Sequence, residues 1–112
     1  MYAEIKLRDA QGDEKTVPML ATASTPIRFK MLYGKDLMTG IVSADGSFDL
    51  DIVSKLAYLM SMQAAKADIT ALNTDKFIDW LDGFDSMAFM DNCDKIFEVY
   101  VKSRNNTSKA KK

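Results

Sequence analysis

Residues 2–20 read "YAEIKLRDAQGDEKTVPML", and this stretch decides the fold class. Ala3, Ile5 and Leu7 alternate with Tyr2, Glu4, Lys6 and Arg8, the period of a half-buried strand. "AQGDE" carries turn chemistry, and alternation resumes with Val17 and Met19, so a β-hairpin opens the chain. Pro18 has no N–H for a ladder, which places the second strand at an edge.

Beyond residue 20 the period changes to that of helices. "TPIRFKMLYGKDLMTGI" starts one, with Thr25 as cap and Pro26 at the first helical position. Ile27, Met31 and Leu32, then Leu37 and Met38, recur at helical spacing. Gly34 kinks or ends this helix, at about 1 kcal/mol against alanine. "SADGSFD" is a turn-rich break. In "DLDIVSKLAYLMSMQAAKA" the polar residues between Ile52 and Ala65 are few. Ser54 and Ser61 share one narrow wet stripe, so this is the central core helix. "NTDKFIDWLDGF" begins at an Asn73 or Thr74 cap, turns Phe77, Ile78, Leu81 and Phe84 inward and ends at Gly83. "DSMAFMDNCDKIFEVYVKS" is a last helix, capped by Asp85, with Phe84 stapling onto Phe89. Its apolar stripe is Phe89, Met90, Cys93, Ile96, Phe97 and Tyr100, and the pattern stops after Ser103. The expectation is an α+β fold in one domain over residues 1–103. A hairpin at 2–20 precedes a compact bundle of three to four helices within 25–103, and a disordered, flexible basic C-terminal tail occupies 104–112.

Composition limits the chemistry. The chain has 112 residues, enough for one domain, and no histidine. Without histidine there is no His-assisted nucleophile and no His–Cys zinc site. The five glycines are scattered and form no phosphate loop. These features argue against an enzyme and against any cofactor or metal. No run reaches the ~18 apolar residues of a membrane helix. The charged start "MYAEIKLRD" is unlike a signal peptide, which predicts a cytosolic protein. The single Cys93 agrees with a reducing compartment.

Charge is unevenly placed. Residues Met1 to Val101 carry 16 acids and 10 bases, a balance of −6, whereas Lys102 to Lys112 carry five bases and no acid. An acidic body opposes duplex binding, leaving only the tail for nucleic acid.

Several residues invite a chemical reading beside a plainer one. Cys93 on an apolar stripe without a basic neighbour reads as a buried structural thiol rather than a nucleophile. Asp45, Asp49 and Asp51 lack calcium-loop spacing and read as a turn and a helix cap. Asp75, Asp79 and Asp82 share one helical face, which reads as solvated surface before a catalytic pair. Met60, Met62, Met87 and Met90 fill a core or make a surface that adapts to several shapes.

Three stretches together carry a resemblance. They are "TPIRFKMLYGKDL", "DIVSKLAYLMSMQAAKA" and "KFIDWLDGFDSMAFMDNCDKIFEVY", spanning about Thr25 to Tyr100. With Arg28 in the first helix turn, "YGKDL" at Tyr33–Leu37 and "F-x-x-WL" at Phe77–Leu81, the chain resembles the tail assembly chaperones of long-tailed (siphovirus-type) bacteriophages of Gram-positive hosts. The resemblance implies a non-enzymatic morphogenesis factor. It would solubilise the tape-measure protein, help tail tube subunits assemble on it in the host cytoplasm, and leave before the virion matures. Weak self-association is compatible with such a role. Many relatives also have a longer form made by programmed frameshift. Adjacent lysine codons such as those of Lys111 and Lys112 are one way to encode the slippery site, and "SRNNTSKAKK" would then be a hinge.

The candidate partner surface is the last two helices, with Trp80, Phe84, Met87 and Met90 as anchors and Asp79, Asp82 and Asp91 as rim. The alternatives are a generic protein-binding adaptor or regulatory domain from a mobile element, then a nucleic-acid-binding regulator acting through the tail. A carboxylate-dependent hydrolase comes last.

Overall fold

A computed structural model describes residues 2–40, 46–67 and 73–110. It is an α+β fold. Strands β1 (Tyr2–Arg8) and β2 (Glu14–Leu20) form an antiparallel hairpin. Helices follow as α1 (Thr25–Tyr33), α2 (Leu37–Gly40), α3 (Leu50–Ala64), α4 (Thr74–Leu81), α5 (Ala88–Asp91) and α6 (Cys93–Ala110).

The hairpin follows from its alternation. Tyr2 pairs with Leu20 and Arg8 with Glu14, so Leu7, Val17 and Met19 fall on the buried face. The connecting turn is closed by Asp9, whose Oδ1 accepts from the N–H of Gln11 and of Asp13, both at 2.9 Å. Gly12 takes φ 89°, a left-handed conformation costly for other residues.

Helix α3 is the core. Its apolar residues from Ile52 to Met60 are buried on all sides, with β2, α1, α4, α5 and α6 packed round it. Asp49 caps it, accepting from the Ile52 N–H at 3.3 Å, in line with the capping reading of that acid. Asp45 lies outside the described residues.

The expected wet stripe is a correction: Ser54 and Ser61 are buried, as is Gln63. The surrounding elements close over the face that carries Ser54, Ser61 and Gln63. Gln63 Nε2 donates to Thr22 Oγ1 at 3.3 Å, and its Oε1 accepts from Thr25 Oγ1 at 3.2 Å. Among the described residues no buried side-chain nitrogen or oxygen lacks a partner.

Helix α1 also departs from expectation. Ser24, not Thr25, holds the N-cap position; Thr25 is the first helical residue, and its Oγ1 accepts from the Thr22 N–H at 2.9 Å. Thr25 and Phe29 face the core, whereas Ile27 and Met31 are 63% and 78% exposed. Gly34 ends the helix with φ 69° and donates its N–H to the Lys30 carbonyl at 2.8 Å. Leu37 in α2 is buried as expected.

Asn73 caps α4, accepting from the Lys76 N–H at 2.9 Å. Phe77 and Phe84 are buried, but Ile78 is exposed, because this eight-residue helix presents only a narrow strip to α3. The expected last helix is two, broken at Asn92, whose backbone leaves helical geometry while its Nδ2 donates to the Ala88 carbonyl at 2.8 Å. The backbone of α6 is helical to Ala110.

Candidate partner-binding surface

The acidic helical half is built round an aromatic cluster. Trp80 lies at its centre, its ring 5.3 Å from Tyr58, 4.8 Å from Phe84 and 5.5 Å from Phe89. Phe84 and Phe89 stand edge to face at 5.3 Å, the staple expected from sequence. Lys15 Nζ sits 5.3 Å over the Phe84 ring from the hairpin side. Backbone bonds complete the union: Asp85 N–H donates to the Arg8 carbonyl at 2.9 Å and Ala10 N–H to the Gly83 carbonyl at 3.1 Å. These bonds tie the hairpin tip to the α4–α5 connection.

This arrangement divides the expected partner residues. Trp80 is half-buried and Phe84 buried, so both belong to the packing that shapes the surface; Phe84 is not an exposed anchor. Met87 and Met90 are 44% and 54% exposed. Met87 is the N-cap of α5 and Met90 lies within it; the start of the helix is set by Asp85 Oδ2 accepting from the Met87 N–H at 3.0 Å. Asp79, Asp82 and Asp91 are exposed, as a rim requires. Met60 is buried in the core and Met62 half-buried. Lys111 and Lys112 lie outside the described residues.

A second apolar surface escaped the sequence reading. Ile27 and Met31, with Pro26, Lys30 and Asp36, line an open hollow of about 470 Å³ on α1. Two stripes compete on this helix, Thr25/Phe29 and Ile27/Met31, both at four-residue spacing. Periodicity cannot rank them; the Thr25 hydroxyl, which finds a buried partner in Gln63, does.

Burial raises the pKa of Tyr33, Tyr58 and Cys93. Burial, then the neighbouring Asp94, raises the Cys93 thiol, which donates to the Phe89 carbonyl at 3.0 Å. Burial first, with smaller contributions from Tyr58 and Asp51, pushes the Tyr33 hydroxyl up to about 12. Lys55 Nζ lies 5.1 Å over the Tyr33 ring and 3.1 Å from Asp51 Oδ2. Among the described residues no three acidic or thiol side chains converge to hold a metal ion. Comparison with protein families, curated proteins and solved structures finds no match to this chain.

Proposed function

We propose that this chain is a tail assembly chaperone of a long-tailed bacteriophage infecting a Gram-positive host. It works without catalysis, in the host cytoplasm. It binds and solubilises the tape-measure protein, and tail tube subunits assemble on that complex. The observation that supports this reading is the exposure of Met87 and Met90 beside acidic neighbours, at the border of a well-buried core. Flexible thioethers pack against apolar side chains of many shapes, which suits a chaperone gripping successive stretches of one long helical client. The exposed acids favour basic flanks on that client and repel acidic ones.

The test is co-expression with the tape-measure protein of the same phage, followed by measurement of how much of it stays soluble and is recovered with the chain. The wild type keeps it soluble; the Met87→Ser/Met90→Ser double variant, still folded by circular dichroism, loses at least about tenfold in recovery. Equal recovery by the variant, or no rescue by the wild type, refutes the proposal. A longer product continuing in another frame at the Lys111–Lys112 codons, seen by intact mass, is the companion expectation for the basic C-terminal stretch.

A further inference from the structure

The two edges of the hairpin are not equivalent. In an antiparallel ladder, alternate residues turn their backbone N–H and C=O toward the partner strand, and those between turn them away. The bridge of Asp9 with Phe84 identifies the outward set, because the Arg8 carbonyl and the Ala10 N–H both bond on the side away from β2. Tyr2, Glu4, Lys6 and Arg8 are therefore outward on β1; by register, Glu14, Thr16, Pro18 and Leu20 are outward on β2. Pro18 stands in the middle of the β2 edge with no N–H to offer, a device that blunts strand addition. The β1 edge has no such block. Among the described residues the outward backbone groups of Glu4 and Lys6 bond to nothing.

The residues on this edge match one occupant. Laid antiparallel to itself about Ile5, "YAEIKLR" sets Glu4 opposite Lys6 and Lys6 opposite Glu4, and the ladder ends at Leu7 because Asp85 already stands opposite Arg8. All these pairs join outward residues, as a hydrogen-bonded pair requires. Sliding by one residue breaks that parity. Sliding by two keeps it but sets Glu4 against Glu4 or Lys6 against Lys6, which is repulsive. A charged edge normally deters pairing, but here the signs alternate so that only the strand itself, in one register, is complementary.

From this self-complementarity we infer that β1 is an isologous interface, pairing with β1 of a second copy to make a four-stranded sheet in the order β2–β1–β1–β2. Below the edge, Ala3, Ile5 and Val99 with Lys95, Glu98 and Lys102 line a crevice of about 150 Å³, where the Ile5 side chains of the two copies would meet.

The experiment is sedimentation equilibrium on the untagged chain at roughly 10 μM to 1 mM, the range in which a small interface dissociates. The expected mass rises from 12.5 kDa toward twice that value. Glu4→Lys and Lys6→Glu each weaken the dimer at least about tenfold by creating two like-charged pairs, and the double reversal restores it. Lys6→Pro, which copies on β1 what Pro18 does on β2, abolishes it while circular dichroism stays native. A chain monomeric throughout that range overturns the inference. So does a dimer indifferent to the single reversals, or a double reversal that fails to restore it.

Discussion

Replacing Trp80 with alanine separates the residues that shape the partner surface from those that form it. The indole touches three other rings at centroid distances of 4.8–5.5 Å, so its removal takes out three aromatic pairs together with its buried area. A fully buried large aromatic costs about 3–5 kcal/mol on truncation. Half-burial of Trp80 lowers that to about 2–3 kcal/mol. Met87 and Met90 have roughly half their surface in water, and serine at either site costs no more than about 0.5 kcal/mol. Urea unfolding followed by far-ultraviolet circular dichroism measures both, since Trp80 is the single tryptophan and its loss removes the fluorescence signal. With a slope of about 1–1.5 kcal/mol/M, Trp80→Ala moves the midpoint down by about 2 M, and the methionine variants leave it almost in place. A loss below about 1 kcal/mol for Trp80→Ala would show that the cluster is not a unit of the core. A loss above about 1.5 kcal/mol for a methionine variant would place that side chain inside it.

Gln63→Ala leaves the buried Thr25 O–H without its acceptor and is expected to cost about 1–3 kcal/mol by the same assay, whereas an exposed glutamine would cost almost nothing. Tyr33 gives a pH signature. Its folded-state pKa is raised from 10.0 to about 12, so the stability tied to its proton is complete below pH 10 and is lost as pH rises through about 12. After discounting for solvent screening of a part-exposed ring, that loss is about 1 kcal/mol, and Tyr33→Phe should show a fall between pH 10 and 12 shallower by that amount. Identical alkaline limbs for the two proteins would exclude this origin.

What the sequence determined by itself are the features written in local chemistry. Strict alternation on both sides of a Gly-containing turn specifies the hairpin and its buried face, because a one-residue slip would turn Leu7, Val17 and Met19 to water. Asp49 and Asn73 announce helix starts because each cap is satisfied within three residues. The mostly apolar run from Ile52 to Met60 announces the central helix, and Gly34 the end of α1. The aromatic and methionine content of residues 77–90 pointed to the region, but not to which side chains face out.

Only the tertiary structure decided the choices that depend on distant neighbours. Ile27/Met31 and Thr25/Phe29 are equivalent stripes until Gln63, far along the chain, supplies a buried partner for Thr25. Ser54 and Ser61 read as solvated until helices on several sides close over α3. Phe84 and Trp80 read as anchors until Tyr58 and Phe89 take them into one cluster. The free edge of β1 is visible only once Gly83–Asp85 shows which backbone groups point outward. In each case the local period leaves two faces of nearly equal energy, and long-range burial and hydrogen bonding choose between them.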